Sequence, residues 1–322
     1  MDSRFRWNDI LIFKSFKYLS PADVVNQGFL LLMSILLIIF HSRIQSWYLL
    51  VIANIAAVVL ITFIVVKYEE RENKSSFLKL LRYWYPVIMI LFIFKENYHM
   101  VHAINPNDID KTLIKIDYMV FGVNPTQWFY RFANPLITEM MEIIYILYYL
   151  VIVIYGIELY VKKRYDDFEY SVFILFVGFY LSYILYIIFP AVGPRFYLHD
   201  FTAIDAELPG LFLTAPLRHI LDFAESIPSG AVNPQDYVQR DAMPSAHAEI
   251  VILLAYLSHK LKLKSFRFYM PYCILMIVST VYLRYHYVID LVAGAVLAII
   301  TVLVGRIVFP NDCGVRSAEC EV

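Results

Sequence analysis

An all-α bundle of membrane-spanning helices is the fold this sequence predicts, and three observations predict it. Of 322 residues, 60% are hydrophobic and 17% charged, against about 45–50% and 25% in a typical soluble domain. Long apolar runs recur from one end to the other. Those runs do not alternate apolar with polar residues, as the strands of a membrane barrel would. The net charge of −1 gives nucleic acid no footing, so the surroundings to expect are lipid. Cys273, Cys313 and Cys320 fit no metal-binding spacing.

Eight apolar stretches are expected to span. The first, about 26–41, follows Arg4, Arg6, Lys14 and Lys17 in the manner of a signal peptide. No small-residue cleavage site follows "LLLMSILLIIF", so it is expected to stay as an uncleaved span. The second is 47–66. The third, 83–95, is short for a hydrocarbon core that wants about 20 residues. Spans at 135–160, 169–190, 246–262, 267–283 and 287–308 complete the bundle, and two long loops, 96–134 and 191–245, lie between spans. The implied organisation is 1–134 as N-terminal helices and outer loop, 135–309 as a catalytic core, and 310–322 as a tail. Most of the 27 basic residues fall on one side of this arrangement, including those of the short loops "VKKRYDD" and "HKLKLKSFR". That side is expected to be cytoplasmic and to hold both termini, with both long loops outside.

Three polar clusters then share the outer face: "FPAVGPRFYLH" with Arg195, "DAMPSAHAEI" with Ser245 and His247, and "YLRYHYVID" with Arg284, His286 and Asp290. His286 and Asp290 are four apart and share a face if both lie on the helix. A carboxylate on one ring nitrogen leaves the other free as base or nucleophile. Pro244 precedes an apolar run where a helix begins, and a helix N-terminus attracts anions. Arg195 follows a Gly-Pro turn that can present a guanidinium to a phosphate. Each cluster alone has a plain structural reading: helix glue, an ordinary helix start, a snorkelling arginine. Together they supply the parts for attack on phosphorus without a metal or other cofactor. Glu139, Glu142 and Asp117 are candidates for the acceptor side, since carboxylates in or beside a span are costly.

These residues resemble the PAP2 (type 2 phosphatidic acid phosphatase) superfamily, and within it the inositol phosphorylceramide synthase branch. The family's Pro-Ser-Gly-His motif is matched by Pro244-Ser245-Ala246-His247. Its motif of Ser-Arg, five residues, His, three residues and Asp is matched by Ser279-Thr280, His286 and Asp290, continuing into Ala293-Gly294. The resemblance runs over about 170–308. Thr280 stands where the motif has arginine, Ile188 where the first motif has lysine, and Phe196 where it has the proline after Arg195. These departures favour the synthase-like branch over an ordinary phosphatidate phosphatase.

The resemblance implies roles. His286 is the nucleophile that becomes phosphohistidine, Asp290 orients it, and His247 is general acid, then base. Arg195, Arg284 and Ser245 bind phosphate. The expected activity is transfer of a phosphorylated, inositol-phosphate-like headgroup between phospholipid or sphingolipid substrates at the outer face. A lipid phosphate or pyrophosphate phosphatase is the alternative, distinguished by water as acceptor. A transporter with a proton relay through the same residues predicts charges spread through the bilayer and inverted repeats, whereas these polar residues cluster on one face and no repeat is visible.

Overall fold

The computed structural model describes residues 17–71 and 75–310. Arg4, Arg6, Lys14, Lys74, Arg316, Cys313, Cys320 and nearly all of the expected tail lie outside the described residues. The longer helices are α1 (Pro21–Ile39), α2 (Trp47–Glu69), α3 (Ser76–Ile104), α4 (Asp110–Phe121), α5 (Pro135–Ile146) and α6 (Tyr148–Val161). They continue with α7 (Tyr165–Ile188), α8 (Thr214–Ala224), α9 (Ala246–Lys260), α10 (Phe266–Tyr282) and α11 (Val288–Val308). No strand occurs among the described residues.

Five helices (α1, α2, α3, α7 and α11) are long and apolar enough to cross a membrane, and a sixth crossing results if α5 and α6, bent by 49°, act as one. By length and composition the described residues thus support five or six crossings, and the expected count of eight is not confirmed. The two stretches beyond this set form α9, of 15 residues, and α10, of 17. Both pack inside the same bundle, α9 below and α10 at the lower end of the roughly 17–25 residues a full crossing takes. The third stretch is corrected in the other direction. It was expected at 83–95, and α3 runs for 29 residues. Arg82, Glu96 and Asn97 break the apolar pattern yet lie inside the helix, each buried against a partner. Arg82 grips Asp23 of α1 through two nitrogens at 3.1 and 3.0 Å, and Asn54 of α2 donates to Glu96 at 2.6 Å.

Helix α7 is the axle. It packs against α1 and α3 on one side and α6, α9 and α11 on the other. Glu249 of α9 sits fully buried at this junction. It accepts from Ser182 of α7 at 2.6 Å and from Thr301 of α11 at 3.2 Å, so one carboxyl ties three helices. Helices α9 and α11 approach closely because Gly294 has no side chain. A Cβ there would lie 2.4 Å from the Ser245 carbonyl oxygen. Gly294→Ala is expected to cost about 1–3 kcal/mol by overpacking, read as a lower Tm in detergent.

Candidate active site

Helix α9 starts at Ser245, whose Oγ accepts from the Ala248 N–H at 3.2 Å. This cap satisfies one of the four amides that a helix start leaves unpaired. The Ser245 N–H donates to the Asp290 carbonyl at 3.0 Å, which brings the starts of α9 and α11 together. His247 is therefore in the first turn of α9, facing the loop that carries His286.

The two imidazoles meet. His247 Nδ1 lies 3.2 Å from His286 Nε2. On its other side, His286 Nδ1 lies 3.0 Å from the Ala242 carbonyl oxygen and 3.5 Å from Asp290 Oδ2. A carbonyl only accepts, so Nδ1 of His286 carries the hydrogen and Nε2 of the neutral ring presents a lone pair. His247 Nδ1–H then donates to that lone pair. Burial pushes the His286 imidazolium pKa down to about 4, partly opposed by the charge of Asp241, so the ring is neutral near pH 7.

Asp290 Oδ2 accepts from the Tyr287 N–H at 2.9 Å, while its Oδ1 has no partner. The closest acceptor fixing the His286 tautomer is thus the Ala242 carbonyl, with the carboxylate as a second, longer contact. Asp290→Asn is accordingly expected to slow turnover by about 10- to 100-fold, well short of the roughly 10⁴-fold seen when a triad aspartate alone sets the tautomer. Single-turnover rates on the folded variant measure this.

Arg195 lines the same cavity as both histidines, a space of about 150 Å³ shared with Tyr145, Tyr148, Glu225, Asp241 and Tyr285. Gly193, at φ 99, makes the turn that delivers it, and a Cβ there would sit 2.7 Å from the Tyr285 carbonyl oxygen. The guanidinium pairs with Glu225 and, at 3.5 Å, with Asp222, and lies 4.8 Å from the Tyr285 ring centre. Burial pushes Glu225 up to about 7, against the pull of Arg195. Burial also raises Asp241, against the pull of His286.

The other sequence-predicted residues surround the cavity without lining it. The Arg284 side chain turns to Glu207 and the ring of Tyr130, and its contribution on the cavity side is its carbonyl, which accepts from the Arg195 N–H at 3.1 Å. Ser245 is spent on its helix cap. Glu139 Oε2 accepts from four consecutive amides, Leu211 to Thr214, at 2.7–3.3 Å and so anchors the start of α8. Glu142 is paired with Arg218 at 2.8 Å. Asp117 takes the N–H groups of Val288 and Ile289 at 2.8 and 2.9 Å, capping α11.

One residue absent from the sequence reading has the same duty. Asp110 accepts from Val192 and Gly193 amides at 3.1 and 2.9 Å and from the Tyr287 hydroxyl at 3.0 Å. Asp110 and Asp117 are seven apart on α4, hence on one face, and that spacing was a readable signal. Glu225, Arg218 and Asp241 were also missed; the first two stand in the long loop 191–245 without a spacing that marks them, while Asp241 opens the cluster that carries Ser245 and His247.

The family model described as PAP2 superfamily matches residues 111–304. No curated protein and no solved structure matches the chain.

Proposed function

The chain belongs to the PAP2 superfamily, and from that membership and the paired histidines we propose a membrane phosphotransferase that works through a phosphohistidine at His286. The observation that carries this reading is the hydrogen bond between His247 and His286 beside Arg195 in one cavity. The proton that a leaving oxygen needs already rests against the lone pair that attacks. When a donor phosphate enters, Nε2 of His286 forms a bond to phosphorus. The bond from phosphorus to the lipid oxygen breaks, and His247, carrying a second proton as the imidazolium once the phosphate is bound, passes its Nδ1 proton to that oxygen and is left neutral. In the second step an acceptor hydroxyl gives its proton back to His247 while its oxygen displaces His286. Arg195 holds the charge on the equatorial oxygens once it exchanges Glu225 and Asp222 for phosphate.

The finer reading is transfer of an inositol-phosphate-like headgroup between a phospholipid and a sphingolipid, as in the inositol phosphorylceramide synthase branch. The motif variants at Ile188, Phe196 and Thr280 support it. The charged short loops support cytoplasmic termini and a site at the outer face. The test is purified protein with phosphorus-labelled phospholipids, with and without lipid alcohols. A new labelled lipid supports transfer. Free phosphate or free phosphorylated headgroup makes the protein a hydrolase, and no release from any donor refutes the reading.

Arg195 and Arg284 separate under mutation. Arg195→Ala is expected to lower kcat/KM by about 10²–10³-fold, the scale of losing one charge-stabilising donor. Arg284→Ala keeps the carbonyl that positions Arg195 and is expected to cost less than about tenfold. Equal losses in steady-state kinetics would put Arg284 on the phosphate after all.

A further inference from the structure

Helix α8 is built inside out. A surface helix bathed by water turns its polar face outward and its apolar face inward. In α8, Arg218, Asp222 and Glu225 are spaced four and three apart and share the inward face. Arg218 pairs with Glu142 at 2.8 Å, and both acids pair with Arg195. Leu213, Pro216, Ile220 and Phe223, spaced three, four and three apart, share the opposite face, and all four are exposed. Phe223 is 85% exposed, as is Phe212 just ahead of the helix. A contiguous apolar stripe of this kind calls for a cover.

Both ends of α8 are fastened to the flanks of apolar helices. At its start, four amides donate to Glu139 of α5, and Leu136 and Met140 beside that glutamate are exposed. At its end, Lys95 of α3 donates to the Ala224 carbonyl and, at 3.4 Å, to Ser226 Oγ. Lys95 continues the exposed stripe of Ile88 and Leu91 and lies nine residues, about 13 Å of helix, before α3 ends. A lysine among lipid-facing side chains is costly without a partner, and the carbonyls at a helix C-terminus supply one. The stripe of α8 also continues the exposed side of α6, since Ile220 and the exposed Tyr149 border the same cavity. We propose that α8 is an interfacial helix whose Leu213, Ile220 and Phe223 stripe is seated in the lipid leaflet on the cavity's side of the membrane. Its inner side walls the catalytic cavity through Leu221, Ala224 and Glu225. The leaflet therefore holds Asp222 and Glu225 against Arg195. The seating is independent of the chemistry at His286.

Two measurements on the full chain in vesicles of phosphatidylcholine and phosphatidylglycerol test it. With Cys273→Ala, Cys313→Ala and Cys320→Ala as background, a nitroxide is placed at Phe223→Cys. Oxygen, which partitions into lipid, is expected to relax it more than a water-soluble nickel chelate does, as for a label at Ile154→Cys on the exposed side of α6. Relaxation mainly by the chelate puts the stripe in water and overturns the seating. Shielding from both reagents puts protein there, a second copy of the chain where the labels also broaden one another, and overturns it equally. Hydrogen exchange gives the second measurement. Phe223 is so exposed that Phe223→Asp would disturb nothing if the ring faced water. In lipid, the folded Asp variant is expected to exchange its α8 amides at least about tenfold faster, with α7 and α9 unchanged, and Phe223→Leu to keep wild-type protection. Exchange of α8 unmoved by Phe223→Asp overturns the seating. If the Asp variant does not fold, the nitroxide decides alone.

Discussion

Replacing His286 with alanine is expected to remove turnover by more than about 10⁴-fold, the scale of deleting a covalent nucleophile, and to leave no labelled enzyme. In the proposed mechanism nothing else in the cavity can take its place. Its Nε2 is the lone pair that faces His247, and its Nδ1–H is committed to the Ala242 carbonyl. Rapid quenching of wild-type enzyme with a labelled donor should trap phosphate that is stable in base and lost in acid. The pH profile carries a second check. Because burial pushes the ring down to about 4, the nucleophile stays neutral from pH 8 to 5 and becomes protonated only below that. Formation of the labelled species should be flat over that range as far as His286 is concerned, with its acid limb near 4. Activity retained in His286→Ala, with no trapped phosphate in the wild type, would remove this histidine from the chemistry.

His247→Ala is expected to slow formation of the intermediate by about 10²–10⁴-fold, the usual contribution of a positioned acid. The loss should depend on the leaving group, which a structural defect would not reproduce. A lipid alkoxide needs the proton, while nitrophenolate leaves without it, so a nitrophenyl phosphodiester should lose far less than the lipid donor. The geometry sharpens the expectation. The His247 N–H that must reach the leaving oxygen is 3.2 Å from Nε2 of His286, and removing it also frees that lone pair. Labelled enzyme should therefore still form from the activated donor. Equal losses on both donors would mean that His247 orients His286 and does not deliver a proton.

The fold class and the two histidines were legible in the sequence because each has a local signature. Apolar runs report lipid, and the motif spacings place both histidines at helix starts. The span count was not legible. Arg82, Glu96 and Asn97 look like the end of a span in a hydropathy window, and only tertiary partners such as Asp23 and Asn54 let α3 continue past them. The roles of Asp117, Glu139 and Glu142 were not legible for a related reason. A carboxylate serving amides more than 70 residues away looks the same in sequence as one waiting for a substrate. Arg284 was misleading because nearness along the chain to His286 is not nearness in space. At φ 68 the backbone turns left-handed there and sends the side chain toward Glu207.

Helix α4 has a bearing on how far this protein can be cut down. Its two aspartates act as struts, one under the turn that delivers Arg195 and the other under the start of the helix that follows His286. Both struts come from chain that precedes the expected core boundary at residue 135. A truncated protein beginning there would keep every motif residue and lose the props that set their spacing. It would be expected to insert and yet hold its histidines and its arginine out of register. The smallest portable unit of this chemistry begins ahead of Asp110, and a chimera that grafts the motif helices onto another bundle has to carry α4 with them.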